Sequence, residues 1–85
     1  QSFPWQGALF GSSSGAGVRV RSVEKGSRLD GYLQPGDLVR ALDGADTPDP
    51  AAFEESAKKA SLERGVVLDL VRGGRSLYVS VKSAP

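Results

Sequence analysis

Hydrophobic and polar positions alternate in Val18-Arg19-Val20-Arg21 and again in Leu77-Tyr78-Val79-Ser80-Val81-Lys82. Strict alternation predicts half-buried strands, with Arg19 and Arg21 on one solvent face. Leu38, Val39, Ala41 and Leu42 make a denser apolar run broken only by Arg40, the pattern of a strand covered on most of both sides. Gly65 to Arg72 predicts a further strand, and Gly73-Gly74 suits a two-residue hairpin turn into a last strand from Arg75 to Lys82. Between these runs the period changes. Phe53, Ala57 and Ala60 recur at four and three residues, the narrow apolar stripe of a surface helix. Asp49 is placed to cap that helix and Pro50 to fill its first position. Glu54 and Glu55 near its start, with Lys58, Lys59 and Arg64 toward its end, suit the helix dipole. The pairs Glu54–Lys58 and Glu55–Lys59 add roughly a few tenths of a kcal/mol each. The spacing therefore predicts a helix over Pro50 to Glu63 anchored in the core by Phe53.

Turn chemistry punctuates these elements. In Leu33-Gln34-Pro35-Gly36-Asp37, Pro35 and Gly36 hold the two central positions of a type II turn, and Asp37 can close it by accepting from nearby amides. Asp43-Gly44 marks a second tight turn. Glu24-Lys25-Gly26 marks a third, after which Ser27 can cap one short helical turn carrying Leu29. Gly31 ends that turn, and Tyr32-Leu33 are expected in the core. Ala45 to Asp49 is a connection rich in Pro and Asp. Gly11-Ser12-Ser13-Ser14-Gly15-Ala16-Gly17 lacks any side chain large enough to pack and predicts a flexible connector. It is not a phosphate cradle, because a strand rather than a helix N-terminus follows and no Lys is placed for it. Ser83-Ala84-Pro85 reads as a terminus or the start of a linker.

The first ten residues hold half of the chain's aromatic residues, Phe3, Trp5 and Phe10, so this end is expected to pack. Ala8-Leu9-Phe10 is a short strand. Trp5-Gln6-Gly7-Ala8 is then either a loop at its head or the end of an N-terminal strand whose Trp5 fills the core.

Composition narrows the chemistry. The 85 residues contain no His and no Cys, which removes a Ser-His-Asp triad, a His base, a thiol nucleophile, a disulfide and His or thiolate metal ligation. A net charge of +1 with interspersed signs gives no electrostatic reason to bind nucleic acid, and Arg19, Arg21, Arg40, Arg72 and Arg75 have no aromatic stacking platform among them. No apolar run approaches a membrane span, and no signal-peptide pattern opens the chain. Ser56-Ala57-Lys58-Lys59 spells the Ser-x-x-Lys of penicillin-binding proteins, yet the companion Ser-Asp-Asn and Lys-Thr-Gly segments are missing. An ordinary amphipathic helix explains it. No cofactor is expected.

The segment Leu33-Gln34-Pro35-Gly36-Asp37-Leu38-Val39, followed by Leu42-Asp43-Gly44, resembles the signature of bacterial-type, HtrA-like PDZ domains. Val18-Arg19-Val20-Arg21-Ser22-Val23-Glu24-Lys25-Gly26-Ser27 resembles the strand and Val-x-x-Gly-Ser turn that precede it there. The resemblance implies an α+β fold: a five- to six-stranded, partly closed antiparallel β-barrel or sandwich with one principal helix and one short helix. It implies that residues 1–85 form one domain of a larger protein, with a placement in the periplasm or cell envelope. It further implies a non-catalytic module that binds extended or C-terminal peptide segments by strand addition, in a groove between strand Ala8-Leu9-Phe10 and the main helix. Trp5, Gln6, Gly7 and Ala8 would form the carboxylate loop, Leu9 and Phe10 the strand, and Phe53, Ser56, Ala57 and Ala60 the helix-side wall. Partners would be peptide or protein C-terminal segments and other domains of the parent protein, with no nucleic acid and no membrane insertion by this segment.

Three departures from the family pattern matter. Gln1-Ser2-Phe3-Pro4 offers no cation before the loop, Gln6 stands where an apolar residue is usual, and Ala8 is small. Carboxylate capture would rest on amides alone, giving micromolar affinity, about 7–8 kcal/mol. The other reading is a docking or oligomerisation spacer whose groove is closed or unused.

Overall fold

A computed structural model describes residues 2–13, 15 and 17–82. The expectations placed on Gln1, on Ser14 and Ala16 of the connector, and on Ser83-Ala84-Pro85 lie outside the described residues. In chain order the elements are β1 (Ser2–Trp5), β2 (Ala8–Ser12), β3 (Val18–Val23), β4 (Leu38–Leu42), β5 (Ala45–Asp46), α1 (Pro50–Lys59), β6 (Val66–Arg72) and β7 (Arg75–Val81). The strands form one sheet in the order β1-β2-β3-β4-β6-β7, with β5 paired to β4, and every pairing is antiparallel.

The PDZ-like α+β class expected from the sequence is the class observed. Two details differ from it. Among the described residues the sheet has seven strands rather than five or six and is not closed into a barrel. The extra strands are β1, the N-terminal strand that is one of the two readings of this end, and the two-residue β5, too brief for a period-two pattern to register. The short helix is not formed among the described residues either. Residues Glu24 to Leu33 run instead through successive turns, with Ser27 N–H donating to Glu24 O, Asp30 N–H to Ser27 O and Tyr32 N–H to Leu29 O. Asp30, not Ser27, closes this segment, its carboxylate accepting from Gly26 N–H at 2.8 Å. Leu29 and Leu33 are buried as expected, whereas Tyr32 is 42% exposed.

Two register shifts explain apolar spacings that no single period accounts for. Between β4 and β6 the pairs are Val39↔Leu70, Ala41↔Asp69 and Leu42↔Leu68, with a bulge at Arg40. Opposed residues share a face, so the bulge brings Val39 and Leu42, three apart, onto the same core face as Leu68 and Leu70. Between β2 and β3, Ala8 opposes Val23 while Phe10 opposes Val20. The shift at Arg21 aligns Val20 and Val23 in the same way. Gly11, expected in the flexible connector, lies buried in β2. Arg21 crosses over it so closely that any Cβ there would collide with the arginine side chain.

The core behind this sheet is built from Phe10, Val18, Val20, Leu29, Leu33, Val39, Leu42, Leu62, Val66, Leu68, Leu70 and Val81, with Phe53 and Ala57 entering from α1. The helix begins as its sequence predicts. Asp49 accepts from Ala52 N–H at 2.8 Å, and Pro50 follows it. It ends earlier, at Lys59, where Ala60 turns to extended backbone and donates its N–H to Ala57 O. Lys58 reaches both Glu54 (3.8 Å) and Glu55 (3.5 Å), in place of the Glu55–Lys59 pairing expected. Replacing Asp49 by Ala is expected to lower stability by about 1 kcal/mol, read as a shift in urea midpoint at constant slope. An unchanged midpoint would mean that Pro50 alone sets the start of the helix.

The turn at Gln34-Pro35-Gly36-Asp37 closes as predicted, with Asp37 N–H donating to Gln34 O and Gly36 at φ 98°. Asp37 does more than finish it. Its carboxylate is almost fully buried, accepting from Gln34 N–H (2.9 Å), Arg72 Nε (2.9 Å) and Arg72 Nη2 (2.7 Å). This two-toothed ion pair ties the turn to the far end of β6.

Candidate functional site

The site develops from a hairpin at the start of the chain. Gln6 and Gly7 take φ values of 53° and 87°, the paired positive φ of a two-residue turn that matches strand twist. Gly7 is required there for a second reason: a Cβ would run into the Ser27 side chain, while Gly7 O accepts from Glu24 N–H at 2.8 Å. The turn folds β1 back along β2 in the register Trp5↔Ala8, Pro4↔Leu9, Phe3↔Phe10 and Ser2↔Gly11. In a two-residue hairpin the pair flanking the turn exchanges hydrogen bonds, so Pro4 falls at the next, non-bonded pair. Its missing N–H therefore costs the ladder nothing.

β3 holds one edge of β2 and β1 holds the other. α1 packs against β1 and β2. Alternate side chains of β1 turn to the helix, and their partner is Phe53. The Phe3 and Trp5 rings stand edge-on to Phe53 at centroid distances of 5.9 and 5.7 Å, while Phe10 lies 4.4 Å from it on the β2 side. Trp5 also reaches Phe10 at 6.3 Å. Such aromatic pairs are each worth about 0.5–1.5 kcal/mol beyond the area they bury. Ser2 and Pro4 point outward and are exposed.

The residues expected to form a peptide site are thus distributed as follows. Trp5, Phe10 and Phe53 meet in one aromatic cluster, with Phe53 and Phe10 fully buried and Trp5 half-buried. Gln6 and Gly7 are exposed in the hairpin turn, and Ala8 is buried beneath it. Leu9 is half-buried on the opposite face of β2 from Phe10. Ala57 is buried on α1 with Ser56 half-buried beside it, and Ala60 is half-buried just past the end of the helix. The open groove expected between Ala8-Leu9-Phe10 and the helix is filled by β1, and Trp5-Gln6-Gly7-Ala8 is a closed hairpin rather than an open loop of free amides. Of the two readings of this stretch the N-terminal strand is the one observed, since Trp5 ends β1 and fills the aromatic cluster.

Sequence reasoning passed over Phe3. The signal was available in its spacing: Phe3 and Trp5 alternate around Pro4, and Gln6-Gly7 is an acceptable hairpin pair. A cavity of about 320 Å³ continues the line of β1 toward the start of the helix, between Ser2, Phe3 and Ser12 on one side and Pro50, Ala51 and Glu54 on the other. Among the described residues, no three His, Cys, Asp or Glu side chains gather to hold a metal ion, and no helix is long and apolar enough to cross a membrane.

One helix laid across the first hairpin of an antiparallel sheet, with a Pro-Gly-Asp turn leading into the central strand, defines a PDZ-type domain. The PDZ domain of HtrA3 bound to a phage-derived ligand, FGRWV, shares the fold with a TM-score of 0.76 at 19% identity, covering 96% of this chain and 86% of that one. HhoA of Synechocystis sp., named as a serine protease, is 32% identical over 69 residues, which is 80% of this chain and 18% of HhoA. No family model matches. The chain belongs with the HtrA-like PDZ domains.

Proposed function

We propose that this domain is a non-catalytic interaction module that takes an extended hydrophobic peptide segment as an added strand on β2, between β2 and α1. The observation that carries the reading is the Phe10–Phe53 wall, which faces a position on β2 where an antiparallel strand already fits. A strand edge supplies main-chain hydrogen bonds, and the wall supplies selectivity for alternate side chains. The HtrA3 PDZ domain, of the same fold, binds a peptide containing Phe and Trp. Gln6, Gly7, Ala8, Leu9 and Phe10 with Phe53, Ser56, Ala57 and Ala60 remain the residues proposed to meet it, while Trp5 holds a position that the peptide would take. The module would work inside a larger cell-envelope protease or assembly protein and guide that protein's partners.

A second reading has its own support. With β1 seated on β2, the domain would serve as a docking or oligomerisation spacer with a closed groove. Titration of labelled hydrophobic peptides, as free acids and as amides, separates the two. Strand addition predicts micromolar binding with amide shifts centred on Leu9 and Phe10. Unmoved spectra at millimolar peptide, together with saturable self-association, would favour the spacer. Equal affinity for acid and amide would remove any role for the Gln6, Gly7 and Ala8 amides in holding a carboxylate.

A further inference from the structure

β1 meets each requirement of a strand-addition ligand, except that it is covalently attached. It runs antiparallel to β2 in unbroken register over four residues. It lies between β2 and α1, and it presents Phe3 and Trp5 to Phe53 while Ser2 and Pro4 face solvent. We infer that Ser2–Trp5 is an intramolecular pseudo-ligand. It occupies the binding site of this domain, and a partner segment must displace it and match its aromatic-x-aromatic pattern. This inference rests on the strand-addition reading above and adds both the class of partner and the gate that partner must open.

The hold of β1 is of the strength a gate needs. The strand is only four residues long, both of its aromatic side chains keep part of their surface in water, and Pro4 contributes no N–H. The turn that tethers it places Gln6, a residue with a Cβ, at positive φ, a conformation unfavourable for any residue other than glycine. Against this, the two-residue tether keeps β1 at high effective concentration beside β2. The strand is closed at rest and open to competition. β1 also continues directly into Gln6, so the site as filled holds a segment with no free carboxylate. Mid-chain segments are therefore admissible partners alongside C-terminal ones.

The test uses the 85-residue chain and two probes: a fluorescent, C-terminally amidated peptide containing Ser-Phe-Pro-Trp-Gln, and the same peptide with Ser in place of both aromatics. One variant opens the gate, Phe3→Ala with Trp5→Ala. A second locks it, Pro4→Cys with Leu9→Cys, at the non-bonded cross-strand pair where a disulfide is geometrically accessible. The chain has no other Cys, so the lock is set and released by oxidation and reduction alone. The aromatic probe is expected to bind the open variant about tenfold more tightly than the unmodified chain, because apparent affinity scales with the fraction of molecules whose site is free. The locked, oxidised protein is expected to bind about tenfold or more weakly than the same protein reduced. Equal binding by the oxidised and reduced forms would overturn the pseudo-ligand while leaving strand addition standing elsewhere on the sheet. Equal binding of both probes would overturn the aromatic-x-aromatic class. No binding by any variant would overturn the strand-addition reading itself, and the gate with it.

Discussion

Replacing Phe53 by Ala is expected to lower the unfolding free energy by about 3–5 kcal/mol, the usual cost of emptying a fully buried aromatic site. Phe53 has no exposed surface and is the common neighbour of Phe3, Trp5 and Phe10. Its removal therefore opens a cavity that three rings line, and no single neighbour can collapse into it. A domain of this size has total stability of about 5–15 kcal/mol, so the variant is expected to be partly unfolded near physiological temperature. Urea denaturation followed by Trp5 fluorescence measures the effect. The same experiment on folded protein at low temperature carries a second readout. Trp5 loses its ring partner on α1, so its emission should shift to the red before global unfolding begins. A loss below about 1 kcal/mol would mean that the helix is not anchored through this side chain.

The second large effect is expected at Asp37. Its carboxylate is 2% exposed and accepts three hydrogen bonds, two of them from Arg72, whose side chain keeps a third of its surface in water. Asp37→Ala leaves the Gln34 N–H without its acceptor and the Arg72 guanidinium with only Tyr32 O at 3.2 Å, and breaking a pair of this kind costs about 3–5 kcal/mol where both partners are buried. The partial exposure of Arg72 places the expected loss toward about 3 kcal/mol. Arg72→Met strands the buried Asp37 carboxylate with only the Gln34 N–H and should cost at least as much, and the double variant should be milder than the sum of the two singles, because the pair is one unit. Strict additivity in the cycle would sink this account. The hydrogen bonds that Arg72 donates to Asp37 raise its pKa above the ordinary arginine value; burial works in the opposite direction, and the charge of Asp37 adds to the rise. A raised pKa contributes stability below the unfolded value and loses it only as pH climbs past the folded one. Arg72 titration therefore adds no pH dependence to stability below about pH 12.

Much of the fold was legible in the chain. Asp49-Pro50 with the Phe53 and Ala57 stripe located α1, Gly73-Gly74 located the last hairpin, and Pro35-Gly36-Asp37 located the turn before β4. Each is a local rule, in which a residue's own backbone preference or its neighbours three and four positions away decide the outcome. The bulges at Arg21 and Arg40 were not legible, because a register shift is set by which two strands face each other. Nor was the Asp37–Arg72 pair, whose members are joined across the sheet. The site divided in the same way. That Trp5, Phe10 and Phe53 matter could be read from their size and position.

What lies on the outer edge of β2 was decided only in three dimensions. Gln6-Gly7 permits a hairpin but does not demand one, since the turn conformation alone is unfavourable for Gln6. The hairpin closes because Phe3 and Trp5 find Phe53, far along the chain on the helix packed against them. The amino-acid sequence on its own determined a PDZ-type scaffold with an aromatic N-terminal segment and a matching helix. The tertiary structure alone decided that this hairpin takes up the groove, because burial of rings distant in sequence outweighs the local cost of the turn.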